Sequence, residues 1–432
     1  MQNSNFKKWF LVLLLAVGGG TIFKSMYLRE VFYYPWNEFM GVDNTQSGIL
    51  MSWLGLVGII AGAIAGVIVD KINNTRLVIT ASYIVIGLAT LWQSTAPSLS
   101  VQYLVIAILS FTANGFFLVS MVRAVRLVGS SDDQGKLFGF LESGRGIAGS
   151  IISAIAVVIF SMAASEADGI ANVLYAYGFL YIAFGVLMWF CLPKEESKSD
   201  KNNNVEQNKV SAKIFFKVIS IKEVWMAAFA IFATISCYQG TSYLVPYLTD
   251  AYGMSSDQAG IVGMVRAYVL AIFAAPVIGI IVDKVGSSIK VMACLFVLGA
   301  AGVAMFLFIP QTPSMVWTLI IVLMIVGAVT FALRGIMYAQ IEEMKVPAAI
   351  TGTVSGFLLT VGFSPEAFQH IIFGYWLDTY KLDGYIYMFA YMAIMFAIAV
   401  FTSIYLYKSS RSGNPFAKLE NELNQSKDES NK

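Results

Sequence analysis

Charge is what this sequence has least of. Asp, Glu, Lys and Arg together make up 12% of the 432 residues, against about 25% in a soluble domain. Histidine occurs once, at His370, which excludes a multi-histidine metal centre. The three cysteines, Cys191, Cys237 and Cys294, fall inside apolar segments without pairing spacing, so neither a disulfide framework nor a thiolate metal site is expected. No phosphate-binding glycine loop, metal-ligand cluster or nucleophile constellation is present, so no cofactor is called for. A net charge of +2 gives no basis for binding nucleic acid.

What remains is apolar. Hydrophobic residues supply 58% of the chain, with 31 Phe, and the mean hydropathy is +0.72. The composition predicts an all-α integral membrane protein, and the lipid bilayer is its first partner. The N-terminus resembles a signal peptide in having Lys7 and Lys8 before an apolar run. That run continues to about Tyr34 with no cleavage signature, so it reads as an uncleaved first span.

Apolar runs able to cross about 30 Å of hydrocarbon number twelve. The first six are predicted at 9–35, 48–69, 77–95, 100–122, 138–163 and 171–192, and the second six at 224–248, 257–281, 291–309, 315–334, 350–376 and 384–407. Lysine and arginine gather in alternate loops, which predicts cytoplasmic N and C termini. The domains follow as an N-terminal six-helix half (1–192), a polar, Asn-rich cytoplasmic linker (193–222), a C-terminal six-helix half (223–407) and a cytoplasmic tail (408–432).

The halves repeat. Gly66-Val-Ile-Val-Asp70-Lys71 after the second span returns as Gly279-Ile-Ile-Val-Asp283-Lys284 after the eighth, an offset of 283 − 70 = 213. Pro35 and Pro246 are offset by 246 − 35 = 211, and Gly41 and Gly253 by 253 − 41 = 212. One six-helix unit has been written twice.

Two six-helix halves with Gly-x-x-x-Asp-Lys between the second and third helices of each resemble the major facilitator superfamily over nearly the whole chain. The loop motif matches loosely at Gly66, Asp70, Lys71 and Arg76, and better at Gly279, Asp283, Lys284 and Lys290. In this motif the glycine is expected to let two helices approach and the aspartate to pair with bases across the gap between halves, forming a latch for one access state. Arg123 and Arg334 occupy equivalent cytoplasmic helix ends, with Arg126 beside the first. They are expected to serve topology and the inner gate.

Ionisable groups inside spans are the second signal, since each costs about 2.5–3.5 kcal/mol at the bilayer centre and needs a partner, water or a function. Lys24, Arg145 and Arg266 fall at mid-depth and predict a cationic central cavity binding a small anionic substrate. Trp53, the repeat counterpart of Arg266, is grouped with them, as are the polar and aromatic residues Tyr27, Asn114, Tyr238, Gln239 and Tyr268. Arg145 also has Glu142 at i−3 as a private partner. Arg29 and Glu30 are expected near the outer interface, paired with each other or with water.

In the eleventh span Pro365 should kink the helix. Glu366 and His370, at i and i+4, should then share a face as a hydrogen-bonded pair near the outer interface or as a proton carrier, with Glu142 a further proton candidate. The resemblance implies a secondary transporter, monomeric, moving an anionic solute with protons or a counter-anion by symport or exchange. The alternatives are a multidrug or metabolite efflux antiporter and, from another class, a transporter-derived sensor or membrane enzyme.

Overall fold

The structure, a computed structural model, describes residues 2–72, 74–128, 134–193, 212–347, 350–417 and 419–421. Most of the expected linker and the end of the tail lie outside the described residues.

The first half contains α1 (Gln2–Thr21), α2 (Tyr33–Met40), α3 (Asn44–Ile72), α4 (Thr75–Gln93), α5 (Leu99–Ser110), α6 (Leu118–Val128), α7 (Gln134–Ser161) and α8 (Glu166–Cys191). A short α9 (Ala212–Ile219) precedes the second half. That half runs through α10 (Lys222–Gly240), α11 (Leu244–Tyr252), α12 (Ser256–Met264), α13 (Leu270–Val285), α14 (Ser288–Met305) and α15 (Val316–Ile336). It ends with α16 (Gln340–Glu343), α17 (Thr351–Gly362), α18 (Gln369–Tyr380) and α19 (Leu382–Ser412). Ten segments among the described residues are long and apolar enough to cross a membrane. The first and eleventh spans are interrupted, and together with those ten they complete the twelve-span architecture.

The interruptions differ from the uniform spans expected from hydropathy. The first span breaks after Gly18-Gly19-Gly20, and the chain turns from Thr21 to Phe32 before α2 begins. Backbone groups freed at membrane depth need partners, and Tyr181 of α8 supplies them. Its hydroxyl donates to the Thr21 carbonyl at 2.9 Å and accepts from the Ser25 N–H at 3.1 Å. The eleventh span breaks at Pro365, where a 3-10 turn (Ser364–Ala367) separates α17 from α18. Gln369, just past that break, is bonded to Ser236 of α10 through both its amide groups.

The repeat is visible in the turns. Gly41 and Gly253 end α2 and α11 with φ of +65° and +69°, a conformation in which a side chain meets its own backbone. The next helix in each half is capped alike: Asp43 accepts from the Gln46 N–H at 2.7 Å, and Ser255 from the Gln258 N–H at 3.4 Å.

Each half builds its own apolar core. Exchange between the two is slight: Tyr33 and Tyr34 of the first half join the second core, and Met264 of the second half packs on the first. The halves meet along α3 with α18 and along α7 with α12 and α13. At the face opposite the chain ends the contact is backbone-close. A Cβ on Gly48 would strike the His370 carbonyl, and one on Gly374 the Asn44 carbonyl. Tyr34 and Tyr385, one from each half, both donate to Asp250 Oδ2, at 2.5 and 2.7 Å.

Toward the chain ends the picture reverses. A Cβ at Gly66 or Gly279 would meet nothing within 4 Å, so the expected close approach at the two loop motifs is not made. Lys71, Asp283, Lys284 and Lys290 are exposed, and Arg76 lies over the Trp189 ring at 4.3 Å. The Asp70 side chain lies outside the described residues. The structure is therefore sealed at one face, while among the described residues the two loop motifs at the other make no such close contact.

Candidate functional site

Two neighbouring cavities between the halves form the site. A cavity of about 160 Å3 is lined by Phe23, Lys24, Tyr27 and Glu30 of the first half and by Tyr238, Gln239, Ala267, Arg334 and Glu366 of the second. A larger cavity of about 440 Å3 shares Phe23 and Lys24 and adds Glu142, Arg145, Gly146 and Ile272.

The breaks in the spans build the smaller cavity. Lys24, Tyr27 and Glu30 stand on the unwound stretch after α1, and Glu366 on the turn between α17 and α18. Side chains leave such stretches in directions that a continuous helix does not offer. Arg334, in the last turn of α15, stacks its guanidinium on the Tyr238 ring at 4.1 Å, which orients a cation while leaving its N–H groups available. Glu366 arises where α3 comes close, since a Cβ on Gly55 would lie 2.9 Å from its own Cβ.

Several sequence expectations change here. Arg334, expected at the inner gate, instead lines the cavity. Its counterpart Arg123 does not; with Arg126, Leu118, Val119 and Val122 it lines a separate cavity along α6. Glu366 and His370 do not pair, because the break at Pro365 destroys their common helix face. His370 is buried away from the cavity, with Nε2 2.7 Å from Gln239 Oε1 and Nδ1 3.2 Å from the Tyr243 hydroxyl.

Arg29 and Glu30 are not an interfacial pair either. Arg29 is 1% exposed. Its guanidinium lies 4.4 Å from the Tyr33 ring and 5.2 Å from the Tyr243 ring, and it donates to the Tyr243 hydroxyl at 3.2 Å. Glu30 faces Arg266, with Oε2 3.5 Å from Nη2. The cavity is thus mixed in charge rather than simply cationic: on its wall Lys24 and Arg334 stand against Glu30 and Glu366, with Arg266 behind Glu30.

Arg266 itself is 1% exposed and lies behind Glu30, donating from Nη1 to Thr241 Oγ1 at 2.8 Å. It sits in a π-helical turn, Val265–Val269, between α12 and α13. Arg145, at the mouth of the larger cavity, pairs with Glu142 at 2.7 Å as its spacing predicts. Asn114 donates to Ser110 Oγ at 3.1 Å within a second π-helical turn, Phe111–Phe117, and packs near Gly58 of α3. Trp53 is exposed on the outside of the bundle, its indole donating to the Tyr103 carbonyl at 3.0 Å. The Tyr268 side chain lies outside the described residues. No group of three or more metal-binding side chains occurs among the described residues.

The family model of the Major Facilitator Superfamily matches residues 9–369. The chain belongs to that superfamily and is a multi-pass membrane transporter, not an enzyme. It is 31% identical to the inner membrane protein YqcE of Escherichia coli K12 over 382 residues, covering 88% of this chain and 89% of the relative. Among solved structures, it superposes on the nucleoside transporter NupG with a TM-score of 0.68 at 19% identity, over 94% of this chain and 100% of the other. A bacterial homologue of the human lysosomal transporter Spinster, inward-facing and occupied, gives 0.70 at 14% identity, over 94% and 97%. These likenesses concern the fold.

Proposed function

We propose that this chain is a secondary carrier of the bacterial inner membrane that moves a small organic anion by alternating access, coupled to protons or to a counter-anion. The cavity wall itself carries two bases (Lys24, Arg334) and two acids (Glu30, Glu366). The observation that supports the substrate class is a third base, Arg266, held directly behind Glu30, so that positive charge is in excess once the groups around the cavity are counted together. In a site withdrawn from water, an excess of positive charge attracts an anion far more strongly than it would in solution. With cytoplasmic termini, as the loop charges indicate, the face sealed by Gly48, Gly374 and Asp250 is the outer one, which supports reading this conformation as inward-facing.

Among the carboxylates and the imidazole proposed as proton carriers, geometry favours Glu366. It faces the cavity and touches α3 of the opposite half, whereas His370 has both ring nitrogens occupied and Glu142 is exposed beside Arg145. The presence of two acids supports a second reading, a zwitterionic solute whose amine would meet Glu366 while its carboxylate meets Arg334.

The test is thermal unfolding of the purified protein against anionic, zwitterionic, neutral and cationic solutes, repeated with Arg334→Gln. A ligand that binds only the folded state raises the midpoint. Stabilisation by anions that disappears in the variant supports the first reading, and stabilisation by zwitterions alone supports the second. Stabilisation by cations or neutral amphiphiles, unchanged in the variant, would favour an efflux carrier.

A further inference from the structure

Arg266 is under-satisfied for a buried guanidinium. Of its five N–H donors, one bonds to Thr241 Oγ1, and Nε and Nη2 have no hydrogen-bond partner. The carboxylate that faces it, Glu30, stands at 3.5 Å, close enough to neutralise it but too far to form the paired hydrogen bonds that a carboxylate and a guanidinium make when both are free to adjust. The arginine comes from a π-helical turn of the second half, a geometry frequent at functional sites. Glu30 comes from the unwound stretch of the first half and forms part of the cavity wall. It therefore lies between the cavity and the arginine.

We propose that Glu30 is a built-in stand-in for the anionic group of the substrate. In the empty carrier it neutralises Arg266, and the carboxylate or phosphate of an entering solute displaces it and takes the guanidinium. This reading rests on the anionic substrate proposed above. Two physical constraints support it. Buried Arg266 cannot be left without a counter-charge, because an unpaired buried ion is strongly destabilising. An anion cannot share the guanidinium with Glu30 in place, because the two negative charges would repel at close range in a site of low dielectric. Occupation must then be an exchange, with Glu30 turning toward Lys24 on the same cavity wall. Because Glu30 and Arg266 belong to opposite halves, the exchange also changes a contact that spans them, so binding is felt by the element that must move.

The experiment compares the full-length wild type, Glu30→Gln, Arg266→Gln and the double variant in detergent. The midpoint of thermal unfolding is followed against sodium glucuronate and glycerol 3-phosphate, with sodium chloride at matched ionic strength as control. Removing the internal competitor should tighten anion binding: Glu30→Gln should be stabilised by at least one probe at about one-tenth of the concentration the wild type needs, or where the wild type does not respond. The gain should vanish in the double variant. Equal or weaker responses of Glu30→Gln to both probes overturn the proposal, as does a gain that survives loss of Arg266. Should Glu30→Gln not fold, Glu30→Asp draws the carboxylate back by one methylene and must show the same gain in smaller measure. The wild-type response judges the anionic reading separately. Anions that stabilise the wild type without any gain in the Glu30 variants leave that reading standing and remove only the stand-in.

Discussion

Asp378 of α18 holds Thr45 at the start of α3. Its carboxylate accepts from the Thr45 N–H at 2.7 Å and from the Thr45 hydroxyl at 2.5 Å, and its other oxygen takes the Asn44 side-chain amide at 2.8 Å. A residue of one half thus caps a helix of the other and satisfies N–H groups that have no partner within that helix. The cap exists only while this face is closed.

Asp378→Asn should loosen that closure, costing about 1 kcal/mol as the loss of a helix cap does. Burial by itself would raise the Asp378 carboxyl, but hydrogen bonds from Thr45 and Asn44 outweigh it and hold the group below its ordinary value of 3.8. A depressed carboxyl contributes stability that is complete above its unfolded value and is lost as pH falls through the folded one. The unfolding midpoints of wild type and Asp378→Asn should therefore differ most at neutral pH and converge below pH 3.8. A gap that widens in acid would refute this role.

Gly48→Val and Gly374→Val should each prevent the sealed face from closing, because the new side chain meets backbone of the opposite half, which cannot rotate away. The carrier should then populate the state open at that face. A cysteine introduced at Tyr34, in a background without the native cysteines, should react with a membrane-impermeant thiol reagent at least tenfold faster in either variant than in the parent. Unchanged labelling would show that the glycines pack but do not gate.

Arg334→Gln and Glu366→Gln should leave the unfolding midpoint within about 2 °C of wild type while lowering solute-dependent stabilisation by at least tenfold for the first. Arg334→Lys keeps the charge but loses the flat stacking on Tyr238, and should recover only part of the response. Full recovery would reduce Arg334 to a point charge.

Tyr181→Phe should destabilise by about 1–3 kcal/mol, since it leaves the Thr21 carbonyl and the Ser25 N–H buried without their partner. The same substitution should lower solute binding, because the unwound stretch carries Lys24, Tyr27 and Glu30. Equilibrium unfolding in denaturant and the solute titration read the two effects independently.

Gly253→Ala tests the turn that closes α11. Nothing crowds a Cβ there, so the cost is that of φ at +69° alone, about 1 kcal/mol. A loss well above that would mean the turn also makes a contact that the glycine permits.

The membrane class, the twelve spans, the duplication and the superfamily are all legible along the chain. Each depends on many residues summed together: hydropathy over about 20 positions, or an offset of 211 to 213 seen at Pro35, Gly41 and Asp70 alike. Lys24, Tyr27, Tyr238, Gln239 and Glu366, all of which line the cavity, are legible too, because polar groups in apolar spans are conspicuous. Where each charge points, and what it meets, depends on the packing of the halves. Extrapolating a helix through Thr21–Phe32 puts Glu30 at the interface, and the same helical arithmetic across Pro365 pairs Glu366 with His370. Both spans break, and each break redirects the side chains after it. Arg334 matches Arg123 in its place along the repeat, yet one faces the cavity and the other does not. The partner of a buried ion comes from the opposite half of the molecule, as Glu30 does for Arg266, and no local pattern records which residue will be opposite once the halves are packed together.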